Sequence, residues 1–500
     1  MGLVTPSDTV PLSELGRVHF TGIGGAGMSG IARIMLADGV VVSGTDSAAS
    51  AQLDELGALG ARVAVGHGAQ HLRDADTLVV STAIRPDNPE LTEARRRGLR
   101  VLHRSAALAS VMLGRQGIAV AGTHGKTTTT SMITTVLRAA GADPSYVIGG
   151  ILAGTGRGAD RGSGPAFVAE ADESDGSFLN LSPDAAIVTC VEADHLDNYT
   201  DLAQIEAAFR AFAARISAGG LLVTCADDDG ARKLAGTAGA DSAAAGSDLR
   251  LVSYGTDAGA SYRVTDVRPS GMTVSLVITP GPGTRAAAAG PVTVRLAVPG
   301  AHNALNAAAA FALCAELGWA PDQVAAGLAA YAGARRRLEL KGEADGVLVL
   351  DSYAHHPTEL AADLAAARDI TPGGRVIALF QPHLFSRTRI FAAQFGAALG
   401  RADEVIVLDI YAAREDPEPG VTGQLVADAV PGGAAQFLPA RDAAPAVVAG
   451  LAKPGDVVLT MGAGDVTALG PLIVAALRER AGEPGAADPG AAAAGPAGQA

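Results

Sequence analysis

Gly122-Thr123-His124-Gly125-Lys126-Thr127-Thr128 puts a lysine and a run of hydroxyls directly behind two glycines, the groups needed to hold a polyphosphate. Successive backbone N–H groups face the phosphate oxygens, the Lys126 ammonium supplies a point charge, and the Thr127 hydroxyl is a ligand for Mg²⁺. The spacing is Gly-x-x-Gly-Lys-Thr. Val120 stands five residues before Gly125, so this loop is tighter than the common Gly-x-x-x-x-Gly-Lys-Thr form. Two acidic clusters follow, Glu170-Ala171-Asp172-Glu173-Ser174-Asp175 and Glu192-Ala193-Asp194-His195. On one rim with the loop, Glu170 and Thr127 make a shell for Mg²⁺, with the His195 imidazole placed for a second ion. Taken alone, the same carboxylates also fit a solvated loop after a strand.

Three further groups carry chemistry. Gly22-Ile23-Gly24-Gly25-Ala26-Gly27-Met28-Ser29 satisfies Gly-x-Gly-x-x-Gly, and Asp46 lies where an acidic residue accepts a ribose hydroxyl. That fingerprint suits a nicotinamide coenzyme, but any nucleotide diphosphate uses the same N–H groups. Asn303 and Asn306, one helical turn apart, either read a base edge with their amides or form a buried polar pair. Tyr353, His355, His383, Arg387 and Tyr411 follow apolar runs late in the chain, where helix capping and solvated arginines are the alternatives.

The elements that must position these groups read as alternating strands and helices. Strand-like runs at Gly16 to Thr21, Val40 to Gly44, Thr77 to Ser81 and Arg100 to His103 predict a parallel, doubly wound unit around the first glycine loop. Gly117 to Ala121 leads into the phosphate loop and a helix to about Ala140. Ala166 to Ala169 and Ala185 to Val191 deliver the two acidic clusters. Because ligands bind at the carboxyl ends of parallel strands, all three segments are expected on one rim. Ser261 to Val267 and Met272 to Ile278, around Pro269-Ser270-Gly271, predict an inserted β-hairpin, and Gly230 to Asp248 reads as an exposed excursion. After the basic knot Arg335-Arg336-Arg337, runs at Val347 to Leu350, Arg375 to Phe380, Glu404 to Leu408 and Val457 to Thr460 predict another parallel α/β unit.

Bulk composition sets the limits. Five hundred residues, 48% hydrophobic, fit about three domains at roughly 100–200 residues each. A net charge of −14 argues against a nucleic-acid or anionic-membrane surface. No basic leader precedes an apolar core, and no apolar run approaches the roughly 20 residues of a membrane span, so a cytoplasmic protein is expected. Cys190, Cys225 and Cys314 are far apart in apolar runs and read as reduced thiols.

Taken together the motifs resemble the Mur ligase family from about Gly16 to Arg480. The resemblance rests on the stretches at 22–29, 122–128, 170–175 and 192–195, with His-Asn-x-x-Asn at 302–306, Arg336-Arg337, His355-His356-Pro357 and Gln381-Pro382-His383. It implies an α/β chain of three domains: a Rossmann-like UDP-sugar domain (1–114), and a central P-loop-type ATPase domain with a mostly parallel sheet and a small β insertion (115–333). A C-terminal Rossmann-like α/β domain that brings the amino acid (334–480) precedes a disordered Ala/Gly/Pro-rich tail (481–500). The implied reaction is ATP-dependent ligation of L-alanine to the lactyl carboxylate of UDP-N-acetylmuramate through an acyl phosphate, a cytoplasmic step of peptidoglycan precursor synthesis. A ligase for a preformed peptide has a related layout, and a nicotinamide-dependent dehydrogenase or a nucleotide switch explains one loop each.

By the same resemblance Gly22, Gly24, Gly25, Gly27, Met28, Ser29 and Asp46 hold the UDP-sugar. Residues Gly122 to Thr128, Asn303, Asn306, Arg336 and Asp351 hold ATP. Lys126, Glu170, His195 and Arg387 converge on the γ-phosphoryl, with Thr127, Glu170 and His195 as metal ligands. Glu170 is preferred to Glu173 because it comes first off its strand. Tyr353, His355, His383 and Arg387 surround the amino acid. The chain departs from the family's Asp-Tyr-Gly at Ser352 and Ala354, and has Ala413-Arg414-Glu415 where a glycine often precedes the glutamate.

Overall fold

The computed structural model describes residues 3–196, 198–413 and 415–482. The tail expected from 481 onward lies outside the described residues from 483, as does Arg414. The chain divides after Arg335 into two compact units.

The first unit holds two sheets. One contains β1 (Val18–Thr21), β2 (Val42–Asp46), β3 (Arg62–Val65), β4 (Thr77–Val80) and β5 (Arg100–His103), in the order β3-β2-β1-β4-β5. Every pair is parallel. All four residues of β1 are buried, as a central strand covered by helices on both faces requires. The strand order reverses beside β1, so the turn after it opens onto the crevice where such sheets bind ligands. That turn is the first glycine loop, followed by the helix Ala26–Ala37.

The other sheet is built from β6 (Gln116–Ala121), β7 (Ser145–Leu152), β8 (Arg157–Asp160), β9 (Ala166–Glu170), β10 (Ala185–Val188), β11 (Leu221–Cys225), β12 (Arg250–Gly255), β13 (Tyr262–Ser270), β14 (Thr273–Pro280) and β15 (Val292–Leu296). Its order is β15-β14-β13-β12-β11-β10-β6-β9-β7-β8. Strand β6 therefore lies between β9 and β10, both parallel to it, and the two acidic clusters leave their strands on either side of the phosphate loop. The expected hairpin forms as β13 and β14. It continues the sheet through β12 and adds β15, with Val274, Leu276 and Ile278 of β14 alternating inward toward the helix Ala301–Glu316 and Val292, Val294 and Leu296 of β15 toward the helix Pro321–Ala329.

One expectation fails. Gly230 to Asp248 is not an excursion but lies largely in the helix Asp229–Ala245. The Asp228 carboxylate caps it by accepting the Ala231 N–H, Ala231, Leu234 and Ala238 bury one face, and Gly246 at φ +64° ends it. Alanine propensity and a capped terminus outweigh the Gly/Asp content that reads as loop.

The second unit is one sheet. Strands β16 (Arg337–Ala344), β17 (Val347–Ser352), β18 (Val376–Phe380), β19 (Glu404–Leu408), β20 (Ala435–Leu438) and β21 (Val457–Met461) run in the order β16-β17-β21-β18-β19-β20. All pairs are parallel except β16 with β17. The expected four strands form its centre, and β16 and β20 cover its edges.

Candidate active site

The phosphate loop owes its course to two glycines. At Gly122, φ is +131° and a Cβ would sit 2.0 Å from Thr189 Oγ1; at Gly125, φ is +80° and a Cβ would sit 2.6 Å from Asn306 Oδ1. A side chain at either place meets the end of β10 or the Asn306 helix, so glycine is needed for space as well as for backbone angle. The loop is stitched to the segment after β10: Thr123 N–H donates to Cys190 O (3.0 Å), His124 N–H to Cys190 Sγ (3.2 Å), and Glu192 N–H to Thr123 Oγ1 (2.9 Å). The His124 ring nitrogen Nε2 lies 3.7 Å from a Glu192 carboxylate oxygen. Thr128 is buried in the first turn of the helix Lys126–Ala139.

Lys126 turns back over its own loop. Its Nζ donates to Gly122 O (2.8 Å), Thr123 O (3.1 Å) and Glu173 Oε1 (2.9 Å). Burial works against its charge, but Glu173, Asp172 and Glu170 overcome this and hold the ammonium above the ordinary lysine range. It is a cation whatever the solution pH near neutrality. Thr127 Oγ1 donates to Glu170 Oε1 (3.1 Å), and Gly149 N–H donates to Glu170 Oε2 (2.7 Å). His195, with φ +52°, places Nε2 3.4 Å from Glu173 Oε1 and 3.5 Å from Asp194 Oδ2. Thus Lys126, Thr127, Glu170 and His195 are brought onto one rim, and Glu173 joins them as the carboxylate shared by Lys126 and His195. The oxygens of Thr127 and Glu170 are hard donors that suit Mg²⁺.

Asn303 and Asn306 lie beneath this loop and are buried. Asn303 Nδ2 donates to Pro299 O (2.6 Å), Asn306 Nδ2 donates to Asn303 Oδ1 (3.1 Å), and Thr129 Oγ1 donates to Asn306 Oδ1 (3.3 Å). Through these bonds the pair ties Pro299 to the first turns of the helix Lys126–Ala139 that follows the loop.

In the first sheet, Gly22 (φ +80°) and Ile23 donate their N–H groups to Thr45 O, and the Gly24 N–H donates to Asp46 Oδ2 (2.8 Å). Asp46 therefore closes the glycine loop it was expected to accompany. Gly25 caps the helix, Gly27 lies in its first turn, Ser29 Oγ bonds Ala26 O (3.2 Å), and Met28 is packed in the core.

The second unit gathers its own cluster. The rings of Tyr353 and His355 meet edge to face at 5.3 Å, those of His355 and His383 at 6.1 Å, and His383 stacks on Tyr411 at 5.9 Å. Arg387 is buried in the first turn of the helix Phe385–Leu399. Arg336 (φ +62°) lies 4.9 Å from the Tyr353 ring centroid and donates to Gly464 O (3.1 Å) and Asp351 Oδ2 (3.3 Å). Asp351, fully buried, also accepts from Thr460 Oγ1 (2.6 Å) and Thr467 Oγ1 (2.8 Å). These two side chains are spent on each other and on the neighbouring turn.

Sequence reading passed over Gly149 and Arg104. Gly149 follows a strand run and precedes a second glycine, a pattern that marks close approach: its Cβ would lie 2.5 Å from Glu170 Oε1. Arg104 directly follows β5, at the carboxyl end of a parallel strand, which is the signal that placed the other groups.

Residues 17–116 match the Mur ligase family catalytic domain, 120–314 the Mur ligase middle domain, and 336–464 the Mur ligase glutamate ligase domain. The chain is 56% identical over 485 residues to UDP-N-acetylmuramate–L-alanine ligase of Thermobifida fusca (strain YX), covering 95% of this chain and 100% of that one. The protein of that name from Kineococcus radiotolerans is 57% identical over 475 residues, 94% of this chain and 98% of that one. Among solved structures, UDP-N-acetylmuramate-alanine ligase from Thermotoga maritima superposes with a TM-score of 0.76 at 28% identity, over 93% of this chain and 100% of that chain. A murein peptide ligase from Psychrobacter arcticus 273-4 shares the fold, with a TM-score of 0.67 at 24% identity over 92% of this chain and 98% of that chain.

Proposed function

The chain belongs to the Mur ligase family, and from that premise we propose that it uses ATP to join L-alanine to the lactyl carboxylate of UDP-N-acetylmuramate. The observation that carries this reading is the single rim on which Lys126, Thr127, Glu170, Glu173 and His195 meet. Relatives at 54–57% identity, all named for alanine, favour the single amino acid over a preformed peptide. A dehydrogenase leaves that rim without a task.

A carboxylate is a poor electrophile with a poor leaving group. In the proposed route a lactyl carboxylate oxygen attacks the γ-phosphorus, the bond from that phosphorus to the ADP oxygen breaks, and an acyl phosphate forms. The alanine amine then attacks the acyl carbon, phosphate leaves, and the amine gives up a proton. Two anions meet in the first step, so the Lys126 ammonium and the loop N–H groups draw charge off the γ-phosphoryl. Thr127 and Glu170 are assigned to Mg²⁺, which when bound neutralises phosphate charge, and His195 to a second ion. Glu173 now occupies Lys126 and must share it with the nucleotide.

The division of labour is 1–114 for the UDP-sugar, 115–333 for ATP and 334–480 for the amino acid. Asn303 and Asn306 are assigned the adenine, and Arg336 and Asp351 a phosphate and the ribose, contacts for which they exchange their present partners. Tyr353, His355, His383 and Arg387 are assigned to alanine, and Arg387 also to the γ-phosphoryl. Among the described residues no helix is long and apolar enough to cross a membrane, and the setting proposed is the cytoplasm. Phosphate release measured while omitting ATP, UDP-N-acetylmuramate, L-alanine or Mg²⁺ in turn tests the reading. Turnover is expected only with all four; turnover without alanine, or a preference for a peptide, overturns it.

A further inference from the structure

Arg104 is the first residue of the helix Arg104–Met112, and its guanidinium joins two places that the sequence treats separately. On one side Nη2 meets Asp172 Oδ2 at 2.6 Å, in the acidic cluster beside Lys126. On the other, a Cβ built on Gly27 would lie 3.4 Å from Arg104 Nη1, so the guanidinium lies over the first turn of the helix Ala26–Ala37. The leading N–H groups of a helix have no acceptor within it, and Gly25 and Ala26 at this end are exposed. The Arg104 side chain is itself 25% exposed. Asp172 is not dependent on Arg104 alone, since its Oδ1 accepts the Ser174 N–H at 3.1 Å.

We propose that Arg104 is a binding residue for the diphosphate of the sugar nucleotide, held ready by Asp172, and that it passes from the Asp172 carboxylate to the phosphate oxygens when that ligand binds over Gly25 to Gly27. This rests on the UDP-sugar reading of the first loop. The physical case is one of competition. A planar guanidinium pairs two-pronged with either a carboxylate or a phosphate, and from its place over Gly27 a single side chain serves both. Asp172 keeps the guanidinium ordered and aimed, and weakens binding by the cost of giving it up.

The two partners of one ion pair therefore have opposite effects. If the pair only ties the first sheet to the second, Arg104→Ala and Asp172→Asn should do the same harm. If Arg104 takes the diphosphate, Arg104→Ala weakens binding of UDP-N-acetylmuramate about tenfold or more, Arg104→Lys restores part of it, and Asp172→Asn leaves it equal or tighter. The measurement is calorimetric binding of UDP-N-acetylmuramate and of UDP to the full chain without ATP, with a melting curve for each variant. Equal affinity in wild type and a folded Arg104→Ala, or parallel losses in Arg104→Ala and Asp172→Asn, overturns the assignment of Arg104 while leaving the UDP-sugar reading in place. Failure of the wild type to bind either ligand overturns the UDP-sugar reading and this inference with it.

Discussion

Glu173 serves Lys126 and His195 at once: its Oε1 is 2.9 Å from Lys126 Nζ and 3.4 Å from His195 Nε2, and its side chain is 3% exposed. The charge that the phosphate loop offers a nucleotide is thus already balanced before a nucleotide arrives. Removing one partner should cost more than the contact itself, because a buried charge is left alone.

Lys126→Ala should lose stability by about 3–5 kcal/mol together with nearly all ATP-dependent phosphate release. Adding Glu173→Gln should restore much of the melting temperature but none of the turnover. Melting curves beside phosphate-release rates separate the two losses, and recovery of activity in the double variant would remove Lys126 from the chemistry.

Glu170 holds Thr127 Oγ1 with one oxygen and the Gly149 N–H with the other. Glu170→Gln keeps the shape and removes the charge, so the Mg²⁺ concentration for half-maximal turnover should rise about tenfold or more. UDP-N-acetylmuramate affinity should stay within about twofold, since neither group reaches the first glycine loop. A metal titration of both proteins checks this.

Two glycine substitutions should part company. Gly122→Ala forces a Cβ to 2.0 Å from Thr189 Oγ1 at φ +131°, and should cost about 1–3 kcal/mol along with nucleotide binding. Gly236→Ala, inside the helix Asp229–Ala245 with nothing within 4 Å of the new Cβ, should add about 0.5–1 kcal/mol. Urea unfolding of both reads the contrast.

Glu90 is fully buried and accepts from Thr21 Oγ1 (2.7 Å), Thr45 Oγ1 (2.9 Å) and Gly68 N–H (3.1 Å), with His19 Nε2 at 3.4 Å. Burial raises its pKa, but His19, Thr21 and Gly68 outweigh this and lower it from 4.5 to about 2. Its stabilisation is fully present above about pH 4.5, is worth about 3 kcal/mol there, and is lost as pH falls toward 2. Acid unfolding of wild type and Glu90→Gln should converge over that window; a constant gap between them would rule the linkage out.

The second unit should show the opposite slope. Burial pushes the Asp363 carboxyl up to about 7; the Ser352 hydroxyl, which donates to it, and Arg337 oppose this while Glu359 adds to it. A folded pKa above the unfolded value means stability that is complete below about pH 3.8 and is lost as pH rises through about 7. Asp363→Asn should flatten that decline, measured as melting temperature from pH 5 to 8. The partner is Ser352, whose hydroxyl also receives the Ala354 N–H at 3.0 Å.

Local pattern determined much of this protein. The spacing Gly-x-x-Gly-Lys-Thr after a buried run states a strand, a tight loop and a helix, because those angles and that space admit little else at Gly122 and Gly125. Alternating apolar residues announced β13 and β14, and apolar runs ending in acid or histidine announced the strand ends. The Gly/Asp content of residues 230–248 misled because capping by Asp228 and one buried face decide a helix, and neither is visible in composition. What the chain order left open is which groups share a charge. Glu170 and Glu173 are near neighbours in sequence, yet one turns to Thr127 and the other to Lys126 and His195, while Arg104 reaches Asp172 from 68 residues away. Electrostatic pairing acts through distance in space and through exclusion of water, and both quantities exist only once β6 has taken its place between β9 and β10.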